Sequence, residues 1–213
     1  MVSEIDAMYA ETRAETGLAA MSPQVRAAMG KVERHRLVSQ AQAGAAYRNH
    51  PLPIGSGQTI SQPYIVALST DLLALQPSAV VLDVGTGSGY QAAVLAEIAR
   101  QVFSIEIVPA LAEEARRNLD KLGYGNLEVK VGDGYAGWPE KAPFDAIVVS
   151  AAAPRLPMAL VEQLKPGGRM VIPLGGEGAM QYLVLVTRRA DGGYDERRIL
   201  PVRFVPLVPG KAR

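Results

Sequence analysis

The sequence predicts a doubly wound α/β domain on a mostly parallel sheet, with N-terminal helices and an antiparallel C-terminal edge strand. Three observations predict it. From Ser78 onward, short apolar runs alternate with amphipathic helical stretches, a pattern that implies parallel strands joined by right-handed crossovers. The first run, VVLDV at 80–84, leads straight into a Gly-rich turn and an Ala-rich stretch. The tail from Tyr182 reads as two longer strands around ADGG, a hairpin that joins the sheet antiparallel.

The elements follow in chain order. Residues 1–50 read as amphipathic helices with polar interruptions. Ser22-Pro23 starts one of them, since proline is tolerated in a helix's first turn, and Val25, Ala28, Met29 and Val32 recur at helical spacing. Arg26, Lys31, Arg34, His35 and Arg36 read as a solvated basic face. Residues 51–62, PLPIGSGQTISQ, read as a loop, because prolines, glycines and short polar side chains favour turns. A helix begins near Pro63, with Ile65, Leu68 and Leu72 on one face. After VVLDV come VFSIEI (102–107), a helix opened by Pro109 and stopped by Gly123, LEVKV (127–131) and FDAIVVS (144–150). A short helix over 157–164, a tight KPGG turn and RMVIPLG (169–175) precede the hairpin. We expect one domain over 1–213, in which 1–62 supplies helices and an active-site loop and 63–213 the core and hairpin.

Composition narrows the chemistry. The formal net charge is +1, so no strong field draws nucleic acid or an acidic membrane. No cysteine is present, which excludes disulfides, thiolate metal sites and cysteine nucleophiles, and His35 and His50 are too few for a histidine-rich metal site. We expect no metal. The N-terminus carries acids and lacks an apolar core segment, so it does not read as a secretory signal, and no apolar run approaches the roughly 20 residues of a membrane span. A cytoplasmic protein is the expectation.

In an open α/β sheet, ligands bind beyond the carboxyl ends of the strands. Asp83 closes the first strand and Gly85, Thr86, Gly87, Ser88 and Gly89 follow it. Glycines let the backbone turn sharply and let a ligand come close. The spacing G-x-G-x-G differs from the G-x-G-x-x-G of dinucleotide sites, which disfavours a nicotinamide oxidoreductase. Glu106 ends the second strand, where a carboxylate can accept from both hydroxyls of a ribose. Asp133, between Gly132 and Gly134, ends the third and can accept from an exocyclic amine. Each has a plainer reading alone: Glu106 as a surface acid, Asp133 as a turn residue. Three acids at three successive strand ends suit a cationic ligand carrying an amine, a ribose and an adenine.

At LDVGTGSGY the chain resembles the class I S-adenosylmethionine methyltransferases, with a Rossmann-like core. GSGQTISQPY, GDG (132–134), FDAIVVSAAAP (144–154), LKPGGRMVIPLG (164–175) and VRFVPLV (202–208), in that order, resemble the protein-L-isoaspartate O-methyltransferases from about Val25 to Val208. The resemblance implies methylation of the α-carboxyl of isoaspartyl residues in aged proteins and peptides, by a cytosolic monomer, with S-adenosylmethionine as donor. Carried over by position, Thr59, Ser61 and Gln62 form the loop over cofactor and substrate, with Ser61 as the active-site serine. Asp83, Gly85, Thr86, Gly87 and Gly89 match the methionine-side turn, Glu106 the ribose acid, Asp133 and Gly134 the adenine site, and Pro206 and Leu207 the substrate cleft. The family's Val-Pro-Arg helix start and following aromatic are here Val32-Glu33-Arg34 and Leu37, changes expected to alter how a peptide lies.

Such chemistry needs little machinery. A carboxyl with a pKa of about 4 is already ionised at neutral pH, so no general base is required. Placement of an oxygen behind the methyl group is what remains. Ser61 then aims the carboxylate as a hydroxyl donor, and it also reads as a helix N-cap. Two alternatives stay open: another carboxyl or hydroxyl acceptor, small-molecule or peptide, and a binder of isoaspartate without turnover. The small, apolar Ser150-Ala151-Ala152-Ala153-Pro154 after the fourth strand, with no basic stripe, disfavours nucleic-acid bases as acceptors.

Overall fold

The computed structural model describes residues 1–176 and 178–210. Helices α1 (Val2–Glu11), α2 (Arg13–Thr16) and α3 (Pro23–Lys31) come first, followed by two 3₁₀ turns, Arg34–Leu37 and Gln40–Ala45. Ser22 caps α3: its hydroxyl accepts from the Val25 amide at 3.3 Å, and Pro23 occupies the first turn.

The stretch expected to be a loop at 51–62 is instead a small hairpin, β1 (Leu52–Gly55) with β2 (Gln58–Ile60). Its turn places Gly55, Ser56 and Gly57 in the left-handed region, with φ of 92°, 51° and 71°. Turn residues therefore mark the tip, and alternating Leu52, Ile54 and Ile60 make the strands, a local pairing that composition alone hides.

The core follows the expected alternation: α4 (Pro63–Leu73), β3 (Val80–Val84), α5 (Tyr90–Ala96), β4 (Gln101–Glu106), α6 (Pro109–Lys121), β5 (Leu127–Val131), β6 (Phe144–Val149), α7 (Met158–Glu162), β7 (Leu164–Leu174), β8 (Gln181–Arg188) and β9 (Tyr194–Val202). The KPGG segment lies within β7 and not in a separate turn. Phe144 pairs with Leu164 but Ala146 with Arg169, so the extra residues form a bulge.

The main sheet runs β5-β4-β3-β6-β7-β8-β9. Pairings from β5 through β7 are parallel, and β8 and β9 add antiparallel. Strand order reverses between β3 and β6, which creates the crevice where ligands bind in such sheets. Period-2 alternation splits the strands between two cores. Val81, Val102 and Val148 face α3, α4, α5 and α6. Leu82, Ile105, Ile147 and Val149 face α7 and Trp138. Helix α4 buries Val66, Leu68, Leu72 and Leu73 against the sheet, each such side chain contributing about 1.5–3 kcal/mol. Among the described residues, no helix is long and apolar enough to cross a membrane.

Candidate active site

Two connected chambers open at the β3/β6 crevice. The first, of about 740 Å³ including its mouth, is walled by the turn after β3, the end of β4, the 58–61 segment and the 205–208 segment. The second, of about 1010 Å³ including its mouth, lies between Pro51, Gln62 and Ile65 on one side and 201–205 on the other. Thr59, Ser61, Ser150 and Val205 line both, so they mark the passage between them.

The first chamber is built from backbone. Gly85 and Gly87 sit at φ 94° and 52°, and the Gly85 and Thr86 amides both donate to the Ile105 carbonyl, at 2.8 and 3.1 Å. Glu106 is buried, yet its carboxylate reaches the chamber wall. Its Oε2 accepts from the Gly87 amide at 2.8 Å and its Oε1 from the Val108 amide at 2.9 Å. Each oxygen keeps lone pairs for a further donor. Glu106 is the one charged side chain among the described residues that line this chamber. A pyrophosphate would meet that carboxylate with no cation to offset it, whereas a cationic ligand with a diol fits. The residues present thus fit S-adenosylmethionine.

The structure sorts the other expected cofactor positions. Thr59, Ser61, Gly85, Thr86, Gly87 and Gly134 line the first chamber. At Gly134 an added Cβ would sit 2.6 Å from Val84 Cγ1, so only glycine lets this strand end pass so close. Asp83 does not line the chamber. The pleat puts it on the face of Val81, fully buried, where its Oδ2 accepts from the Ser104 hydroxyl at 2.7 Å. Ser104 in turn lies 2.5 Å from the Thr86 hydroxyl, so Asp83 meets the wall only through two hydroxyls. Its other oxygen has no hydrogen-bond partner. Burial pushes the Asp83 carboxyl up to about 7, the Ser104 bond pulls it down and the charge of Glu106 raises it.

Gly89 is likewise not on the wall. It caps α5 at φ 86°, and an added Cβ would lie 3.0 Å from Leu119 Cδ1, so it serves helix packing. Asp133 is not on the wall: its Oδ1 accepts from the Tyr135 amide at 2.9 Å, and Gly210 packs beside it. Gln62 lines the second chamber only. Pro206 and Leu207, expected in the substrate cleft, line the first chamber instead. The bridge from Leu207 N–H to the Ala152 carbonyl, at 2.7 Å, draws that segment over the cofactor side.

One charged residue among those described lines the second chamber, the exposed Arg203, which the sequence left unassigned, together with Phe204. Its signal lay in VRFVPLV itself, a cation two residues before the wall segment. Ser150 was also missed as a lining residue, although it directly follows β6 at the reversal point and its amide donates to the Val84 carbonyl at 2.8 Å. The altered 32–38 stretch stays out of both chambers. Glu33 is exposed and pairs with Arg36 at 2.9 Å, while Leu37 is buried. Arg34, expected on a solvated face, is 0% exposed. His50 is exposed and lines neither chamber.

Ser61 does not cap α4. The cap residue is Gln62, without a side-chain bond, and the Tyr64 amide donates to Asn49 Oδ1 at 2.9 Å. The Ser61 hydroxyl is thereby left to the passage.

A model of the family described as protein-L-isoaspartate(D-aspartate) O-methyltransferase (PCMT) matches residues 6–212. Protein-L-isoaspartate O-methyltransferase 2 of Polaromonas sp. is 58% identical over 208 residues, 98% of this chain and 99% of that protein. Protein-L-isoaspartate O-methyltransferase 1 of Cupriavidus necator is 57% identical over 98% of this chain and 80% of its own length. Among solved structures, a protein-L-isoaspartate O-methyltransferase superposes with a TM-score of 0.80 at 27% identity over 97% of this chain; the chain spans 65% of that protein. A Plasmodium falciparum structure, described as a putative protein-L-isoaspartate O-methyltransferase in complex with S-adenosyl-L-homocysteine, gives 0.78 at 26% identity, covering 97% of this chain and 98% of that one.

Proposed function

This chain belongs to the protein-L-isoaspartate O-methyltransferase family, and from that premise we infer that it methylates the α-carboxyl of L-isoaspartyl residues in damaged proteins and peptides. One observation carries the reading beyond family membership. The two chambers that meet at Ser61 hold opposite charges, Glu106 in the first and Arg203 in the second. That arrangement complements a cationic donor facing a carboxylate acceptor.

When bound, S-adenosylmethionine supplies a methyl group activated by a positive sulfur. Glu106, already fixed by two backbone amides, accepts from the ribose hydroxyls. Gly85 and Gly87 would let the methionine portion lie against the backbone, and Gly134, packed directly on Val84, would offer only backbone to the adenine side. Asp83 and Gly89 support this turn from beneath and behind. In the second chamber Arg203 attracts the peptide carboxylate, Gln62 and Phe204 flank it, and the Ser61 hydroxyl donates to one carboxylate oxygen and aims the other at the passage. Ser61 abstracts no proton, because the acceptor is ionised at neutral pH. The 58–61 segment and Leu207 exclude water from the junction, which strengthens these interactions. Once esterified, the carboxyl carbon is open to attack by the neighbouring backbone amide nitrogen, which expels methoxide as methanol by taking up the amide proton, and water then opens the resulting succinimide, in part to normal aspartate.

The protein acts as a single-domain cytoplasmic monomer on proteins and peptides, not on nucleic acid or at a membrane. The balanced charge supports the exclusion of nucleic acid and of an acidic membrane surface. The decisive experiment offers labelled S-adenosylmethionine and one synthetic peptide carrying either L-isoaspartate or L-aspartate at the same position. Base-labile label on the isoaspartyl form alone is expected. Label on both forms, or on neither while S-adenosylhomocysteine still binds, overturns the assignment of the acceptor.

A further inference from the structure

Arg34 is the largest fully buried side chain among the described residues, and no carboxylate pairs with it. Its Nε donates to the Ala46 carbonyl at 2.8 Å and its Nη2 to the Ser61 carbonyl at 2.9 Å. The guanidinium lies 4.5 Å over the ring of Tyr90, which itself lines the first chamber. Nη1 has no partner. Burial pulls the group down only to about 10, so it stays charged at neutral pH. Burying an unpaired cation costs several kcal/mol, and a well-packed apolar side chain avoids that cost. What the guanidinium adds in return is a fixed fork toward two carbonyls from separate segments.

Asn49 grips the same loop three residues further on. Its Oδ1 accepts from the Tyr64 amide, and its Nδ2 donates to Met8 Sδ at 3.0 Å. Ser61 is thus held through its own carbonyl and, three residues on, through the Tyr64 amide, while its hydroxyl makes no hydrogen bond among the described residues and the residue lines both chambers.

We propose that Arg34 and Asn49 form a positioning clamp on the 61–64 loop. Arg34 fixes the Ser61 carbonyl, and Asn49 fixes the Tyr64 amide in the first turn of α4. Neither residue touches substrate. Both act by holding the Ser61 hydroxyl free and aimed at the acceptor carboxylate, an inference that rests on the role given to Ser61 above.

The test is a pair of double-mutant cycles, Arg34→Lys and Asn49→Ala, each alone and combined with Ser61→Ala. Arg34→Lys is expected to lower kcat on an isoaspartyl peptide by about tenfold to a hundredfold, and Asn49→Ala by about threefold to tenfold, since small misplacements of a positioned group cost that much. Affinity for S-adenosylhomocysteine, by calorimetry, should stay within about threefold. In the Ser61→Ala background both kcat effects should shrink to about twofold or less. Undiminished losses in that background, or equal losses of cofactor affinity, overturn the clamp. Should Arg34→Lys fail the circular-dichroism check for folding, the Asn49→Ala cycle decides by the same criterion. Amide hydrogen exchange separates this inference from the assignment of the acceptor. Both variants should speed exchange over 61–66 while 85–89 stays unchanged, whichever peptide the enzyme methylates. Unchanged exchange over 61–66 overturns the clamp even in an active enzyme.

Discussion

The amide of Gly87 donates to Oε2 of Glu106 at 2.8 Å, which joins the turn after β3 to the end of β4 as one rigid unit. The acid therefore has a fixed direction before any ligand arrives. Glu106→Gln would place an N–H₂ against one of two backbone donors, Gly87 or Val108, and remove the charge. Affinity for S-adenosylhomocysteine should fall by about tenfold to a hundredfold, the worth of one charged hydrogen bond. Calorimetry measures it directly, and unchanged affinity would remove the ribose assignment.

Ser61→Ala should behave differently. Its hydroxyl lies at the passage and its loop is anchored by backbone bonds that alanine keeps. We expect kcat to fall by about tenfold to a hundredfold with cofactor affinity nearly unchanged, the mark of a group that orients the acceptor. Equal loss of both, measured by steady-state kinetics and calorimetry, would make Ser61 a structural residue.

The glycines of the site separate by what stands behind them. Gly89→Ala sets a Cβ against Leu119 at positive φ, so urea unfolding should show a loss of about 1–3 kcal/mol while cofactor affinity is kept. Gly134→Ala presses Val84, which lines the first chamber, and should weaken cofactor binding as well. A Gly89 variant that folds normally yet loses the cofactor would return Gly89 to the binding site.

Asp83 predicts a pH dependence of stability. Burial raises its carboxyl from 3.8 to about 7 in the folded protein. The folded state then holds its proton where the unfolded chain has released it. Its contribution is complete below about pH 4 and is lost as pH rises through about 7. The stability of the wild type relative to Asp83→Asn, from urea unfolding, should accordingly decline between pH 5 and pH 8. Parallel curves would show that Asp83 is ionised throughout.

The strands and helices of the core were legible because each depends on local order. Apolar periodicity places VVLDV, Pro109 opens α6, and Gly123 at φ 83° follows its end. The hairpin at 52–60 was not legible, because loop composition and a short, tightly turned hairpin share the same residues. Arg34 read as solvated for a related reason: a basic run names a face, and only the packing of Tyr90, Ala46 and Ser61 around it decides that this cation is inside.

By itself, the sequence determined the parallel sheet, its family and the strand ends that carry Glu106, the glycine turn and Gly134, since backbone pleat and hydrogen-bonding period are set by neighbouring residues. Only the tertiary structure decided which groups line the chambers. Asp83 lost its place on the wall to the parity of β3, and Gly89 to the approach of Leu119. Leu207, bonded to Ala152, came to line the first chamber, Arg203 came to line the second, and Asn49 took the Tyr64 amide at the start of α4. Each of these depends on a segment distant in the chain, whose position follows from packing and not from local residue order.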